Sequence, residues 1–354
     1  RSVSRGLGDV YKRQIEEYKQ TFDYYIQTTV TTLVGGSTSA QVNPTGTIPL
    51  SEAQFRANID RCICVDQDKN VFFLVDNDGK FAAFMLNEEA DKLISLKSDI
   101  NALFNSPVLG YNSKDDIVYQ FWANRDSHEV YYFDPKTDYA PTTAISSISW
   151  DDPNFPNIEG FGVWAAKCNF TMGPDGKMYS RMLGGNLVRI DVENARGENL
   201  TNGDLVGTKD GSAYGLVFDP QDENVFYFSN NDKHCIYKYD LRTKECACWA
   251  GQEGKSGYLD GPIGQAMFNK PGQMCVDSEG NIILTDTENH CIRKITMSTG
   301  YVSTLAGKPQ NSGYVNGSAE DAQFKKPLGI CIDNDDVMYI GDSENRAIRR
   351  LAVE

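Results

Sequence analysis

Three histidines, nine cysteines and a series of acid-rich turns are the residues of this 354-residue chain with the most obvious chemical potential. Three imidazoles are enough to hold a catalytic zinc. Here, however, His128-Glu129-Val130, His234-Cys235-Ile236 and His290-Cys291-Ile292 fill one recurring slot just ahead of a strand, and Arg346 fills it in a further occurrence. Residues in equivalent repeat slots are spread through a fold and do not converge on one atom, so no metal centre is expected. Cys62/Cys64 and Cys246/Cys248 are spaced C-x-C, which places both members on one face of a strand. That spacing fits neither a zinc knuckle nor a disulfide framework, and the cysteines read as small buried apolar fillers. The turn Asp66-Gln67-Asp68-Lys69-Asn70 lacks the glycine and the final glutamate of a calcium loop, with Val71 and Asn77 in their places. Asp286 with Arg293, and Asp342 with Arg349, recur at one spacing and predict an internal carboxylate–guanidinium contact. No Ser/His/Asp arrangement, phosphate loop or dinucleotide fingerprint is present, and no cofactor is expected.

The segment Ser147 to Lys167 is different because nothing elsewhere in the chain repeats it. It carries Trp150, Asp151, Asp152, Phe155, Phe161 and Trp164. Aromatic rings beside carboxylates suit stacking on a sugar or anchoring a protein partner. These six residues are the candidate ligand-binding set, weighed against a role as gap-filling rings.

The elements that must position these residues are legible from a repeat. Sliding Ala250–Ile295 by 56 residues onto Ala306–Leu351 gives 17 identities in 46 ungapped positions. Each copy reads as four short strands. In the best one these are Gln273–Val276, Ile282–Thr285, Ile292–Ile295 and Tyr301–Ala306, separated by acidic or glycine-rich turns. The first hairpin turn recurs before Val71, Ile117, Met178, Val225, Ile282 and Val337. Six such units predict an all-β fold, a six-bladed β-propeller of four-stranded antiparallel blades spanning residues 26–354. The last unit ends after three strands. Val30-Thr31-Thr32-Leu33-Val34-Gly35 is similar to Val302–Gly307, and Glu52-Ala53-Gln54-Phe55 echoes Asp321–Phe324. The N-terminal strand is therefore expected to supply the missing fourth strand and close the ring.

Composition narrows the function. With 34 basic and 49 acidic residues the net charge is −15, which argues against a phosphate-backbone binder. Apolar runs such as Val71–Val75 fall far short of the ~20 residues a membrane helix needs. Residues 1–14 are basic and aperiodic, end in DVYKRQ, and read as an adapter-derived scar; residues 15–25 read as the tail of an upstream domain.

The pattern P-x-G-[IM]-C-[VI]-D…D-x-E-N-x-x-I-R, carried by Pro327–Arg349 and, with Gly272-Gln273 in place of x-G, by Pro271–Arg293, resembles the NHL repeat. The Leu-Ala-Gly…Gly-Tyr…Ala-x-Phe linkers resemble those of bacterial surface NHL proteins that carry an IPT/TIG domain. That resemblance implies an extracytoplasmic protein. The acidic composition, the aromatic segment and the lack of a catalytic constellation lead to the expectation of a non-catalytic, monomeric chain that binds a protein or glycan through its loop face. The alternative that the resemblance implies is a metal-dependent hydrolase or lyase of the lactonase-like propeller group, because fold does not decide function.

Overall fold

The structure, a computed structural model, describes residues 28–353 except 38, 41–42, 78–79, 102–106, 122–129, 152–167, 183–184 and 202–212. The segments 1–14 and 15–25 singled out above lie outside the described residues. Short strands joined by tight turns make up almost all of the described chain, and its helical content is four single 3-10 turns. Among the described residues no helix is long and apolar enough to cross a membrane.

The strands form a propeller-like arrangement of five sheets. Four are separate sheets of four or five strands, and the fifth has nine. Each contains antiparallel runs in which an acidic turn closes the first hairpin. The repeat therefore sets the strands where the period-two pattern places them: Pro271–Val276, Ile282–Asp286, Cys291–Thr296 and Tyr301–Ala306 in the best copy. The expectation of six separate blades is not met in that form. Two four-stranded runs, Val108–Ile145 and Phe170–Asn199, are joined into the nine-stranded sheet by parallel pairing of their first strands, Phe170 with Gly110 and Thr171 with Tyr111. Gly110 permits this approach, since a Cβ there would lie 2.7 Å from the Phe170 side chain.

The N-terminal strand Thr28–Gly35 pairs antiparallel with the last strand, Ala347–Val353, in the same sheet as Pro327–Ile332 and Met338–Asp342. It copies the outer strand of the other units in detail. Its register shifts between Thr32 and Val34, as the equivalent pairs shift next to Ile236 and Ile292. It ends in Gly35 at φ +85°, where Gly251 and Gly307 end theirs at +90° and +96°. A Cβ on Gly35 would lie 2.0 Å from the Arg346 carbonyl, so only glycine fits.

The core lies between neighbouring sheets. Cys275 and Ile283 of one sheet pack with Ile330 and Ile340 of the next, and Val217 and Tyr227 pack with Met274 and Leu284. Ala53/Phe55, Ala266/Phe268 and Ala322/Phe324 are buried plugs on equivalent linkers.

Candidate ligand-binding face

The first strands of the units line a central axis. Ile59–Val65, Val108–Asn112, Phe170–Met172, Leu216–Phe218, Pro271–Val276 and Pro327–Ile332 lie next to one another in that order, and the last lies against the first. A cavity of ≈ 250 Å³ runs along the axis, lined by Cys64, Tyr111, Asn169, Thr171, Gln273 and Cys331 among others; none of its described lining residues is a carboxylate or an imidazole. Gln273 spans one end. Its Oε1 accepts from the amides of Ile63 at 3.0 Å and Ile330 at 3.1 Å, and its Nε2 donates to the Ile63 carbonyl at 2.8 Å. One buried side chain thus ties three units together across the axis. Arg61 of the first inner strand lies over the Tyr214 ring at 5.2 Å, just ahead of Leu216–Phe218.

The residues with catalytic potential are occupied in structural contacts. His234 and His290 sit in left-handed turns, and each accepts through Nδ1 from a backbone amide, Lys270 at 3.1 Å and Lys326 at 3.2 Å. Burial lowers both imidazoles from the usual histidine value, so they remain neutral acceptors. His128 lies outside the described residues. The unfolded chain takes up these protons first as pH falls, so this contribution to stability is complete above the ordinary histidine value and lost below it. A double His234→Asn, His290→Asn variant should therefore lose less stability than wild type between pH 7 and pH 5, as read by denaturant melts at both values; parallel losses would refute this.

Asp66, Asp277 and Asp333 each turn a carboxylate back onto their own hairpin, accepting from the amides of Asn70, Asn281 and Val337 at 2.7–3.0 Å. Asp286 and Asp342 bind Arg293 and Arg349 at 2.7 Å, as their spacing predicts. Among the described residues no group of three His, Cys, Asp or Glu side chains is arranged to hold a metal ion.

Of the six candidate ligand-binding residues, the structure describes two. Trp150 is half-buried on a short strand parallel to Arg196–Asn199, with its indole against Gly197, where a Cβ would lie 2.5 Å away. The amide of Asp151 donates to the Gly197 carbonyl at 3.0 Å, and its carboxylate accepts from the Asn199 amide at 3.2 Å. Both thereby anchor the start of the segment to a sheet edge. Asp152, Phe155, Phe161 and Trp164 lie outside the described residues.

One slot on the second strands is where the units differ most. Aligned on their hairpins, it holds Leu74, Gln120, Arg181, Ser229, Thr285 and Gly341. Thr285 shows its direction by donating to the Leu328 carbonyl of the next unit at 3.0 Å. The slot is satisfied locally at Ser229, which accepts from the Gly215 amide at 3.0 Å. Gln120 is 0% exposed, and neither atom of its amide has a hydrogen-bond partner among the described residues. Arg181 is 1% exposed and lies near the Phe228 ring; burial lowers its guanidinium to about 10, still charged at neutral pH. Sequence reasoning missed both residues. Aligning all six hairpins, including the weakly matching middle ones, would have exposed them as the two long polar side chains at that slot.

A sequence model of the NHL repeat matches residues 268–295, so the chain carries this repeat. It is 25% identical over 271 residues, 71% of its own length, to Protein SUPPRESSOR OF QUENCHING 1, chloroplastic, of Arabidopsis thaliana. It is 30% identical over 152 residues to NHL repeat-containing protein 2 of Gallus gallus. The chain spans only 25% and 19% of those two proteins. Among solved structures it is similar to a protein of unknown function from Bacteroides thetaiotaomicron, with a TM-score of 0.76 and 22% identity, covering 92% of this chain and 76% of that one. An auxiliary nutrient binding protein from the same organism follows with a TM-score of 0.70 and 20% identity, covering 92% and 77%. A streptogramin B lyase is similar at a TM-score of 0.54 and 11% identity, covering 94% and 99%. These structural likenesses establish the fold.

Proposed function

We propose that this chain is a six-bladed propeller, closed by its N-terminal strand, that binds a glycan without chemical turnover and works outside the cytoplasm. The nine-stranded sheet is then two blades bridged at their inner strands, and the unbroken order of six inner strands around the axis supports that count. The ligand face is the one at which Trp150 and Asp151 begin the segment that also carries Asp152, Phe155, Phe161 and Trp164. The observation that carries this reading is Gln120, a fully buried amide whose two hydrogen-bonding atoms find no partner among the described residues, in the unit immediately before that segment. A buried amide left unpaired costs stability and calls for a compensating role, which the hydroxyls of a glycan would supply. The nutrient-binding name of one structural neighbour supports binding over turnover. The lyase neighbour keeps a metal-dependent hydrolase or lyase as the second reading.

Gln120→Leu separates structure from function. It removes an unsatisfied polar group for an apolar one of similar size, so the melting temperature should stay level or rise, by about 1 kcal/mol of stability. Affinity for any glycan that the wild-type chain retains should fall at least about tenfold, the loss of roughly one good hydrogen-bonding group. Unchanged affinity would remove Gln120 from the site.

A further inference from the structure

The nine cysteines differ sharply in reactivity. Cys62, Cys64, Cys168, Cys275, Cys291 and Cys331 are buried, and burial pushes every one of their thiols up, Cys168 to about 12. Such thiols form no thiolate at neutral pH and are inert. Cys246 is half-buried and is likewise pushed up to about 12 by burial. Cys248 behaves oppositely. The Cys235 thiol donates a hydrogen bond to its sulfur, which lowers Cys248 from the usual cysteine value and raises Cys235.

The backbone brings these two together. Cys235–Asp240 and Cys246–Gly251 are antiparallel neighbours in which Cys235 faces Gly251 and Tyr237 faces Cys248. Cys235 and Tyr237 share a face, so Cys248 is the diagonal same-face neighbour of Cys235, and a register shift lies between them. The Cys248 thiol donates to the Gly251 carbonyl at 3.9 Å, which turns its sulfur towards the residue paired with Cys235. Cys248 is half-buried and open to a reagent, whereas Cys235 is buried behind it.

We propose that Cys248 and Cys235 form a modification site: an attacking thiol and a resolving thiol that close to a disulfide on meeting a small-molecule disulfide or a disulfide-carrying oxidant protein. The Cys248 thiolate attacks one sulfur of that disulfide, forming a mixed disulfide and releasing one thiolate, which takes up a proton. Cys235 then loses its proton and attacks the Cys248 sulfur, displacing the second thiol. Two protein thiols are oxidised by two electrons, and one external disulfide is reduced to two thiols. The bond would staple the strand Cys246–Gly251, which lies at the outer edge of its four-stranded sheet; among the described residues no fifth strand covers it, unlike the three five-stranded sheets.

The test is to incubate the reduced full chain with oxidised glutathione at neutral pH, alkylate the remaining thiols and map tryptic peptides. The expected product is His234–Lys238 linked to Glu245–Lys255, with seven of the nine thiols still alkylated. Fragment spectra of the wild-type link should place it on Cys248, so the assignment does not depend on a variant folding. The link should persist in Cys246→Ser and vanish in Cys248→Ser. A link on Cys246, a stable glutathione adduct on Cys248 with Cys235 still free, or nine alkylated thiols would overturn the proposal.

Discussion

Arg349→Met is expected to destabilise the folded chain by about 3–5 kcal/mol, the cost of leaving a buried charge without its partner. Arg349 and Asp342 are both 0% exposed and meet at 2.7 Å. The guanidinium also donates to the carbonyls of Gln323 at 3.1 Å and Val315 at 2.7 Å, and to Asn316 Oδ1 at 2.8 Å. One side chain therefore ties the last unit to the linker before it. Burial raises Asp342 to about 6 against the opposing pull of Arg349. An acid raised in the folded state adds stability below its ordinary value and loses it as pH climbs through the raised one. Removing the arginine raises Asp342 further, so the deficit of the variant should be small at pH 5 and largest at pH 8. Urea melts at both values check this, and a pH-independent deficit would contradict it. Adding Asp342→Leu to Arg349→Met should recover part of the loss, because the stranded carboxylate is gone.

The second large effect concerns the closing strand. Deleting Thr28–Gly35 removes its antiparallel pairing with Ala347–Val353 and the buried side chains of Val30 and Val34. It also leaves the seven-residue strand Ala347–Val353, five of its residues apolar, as an open edge, a template for pairing with a second chain. Burying two valines stabilises by roughly 3–6 kcal/mol before any backbone pairing is counted. The melting temperature should therefore fall by more than about 10 °C, and sedimentation should show self-association. A monomer with an unchanged melt would refute the latch.

Much of this architecture is written in local pattern. The acidic hairpins placed the second strands within a residue or two of Val71–Asn77, Ile117–Phe121, Met178–Arg181, Val225–Asn230, Ile282–Asp286 and Met338–Asp342. Those strands alternate at period two between turns of strong local preference, so little tertiary information is needed. The Asp–Arg contacts were legible because they recur, and the N-terminal strand because its Gly35 matches Gly251 and Gly307. What the chain concealed is what lies across the axis. Gln273 and Ile63 are 210 residues apart, and their contact depends on the radius at which the inner strands meet. The stacking of Arg61 on Tyr214 is hidden for the same reason. Merging of two units through Gly110 and Phe170 was equally invisible, since parallel pairing leaves no mark on the alternation of either strand. Gln120 and Arg181 were concealed differently: their long polar side chains stand out only once the weakly matching middle units are aligned on their hairpins.

A calorimetric titration of the purified chain, in the presence of a metal chelator, against a panel of soluble oligosaccharides and lactones most directly tests whether this propeller binds rather than transforms its ligand. Saturable heat from at least one oligosaccharide is expected, with that ligand recovered unaltered and a weaker response from Gln120→Leu. Turnover of a lactone that stops in chelator and returns with added metal, with no oligosaccharide retained, would contradict it.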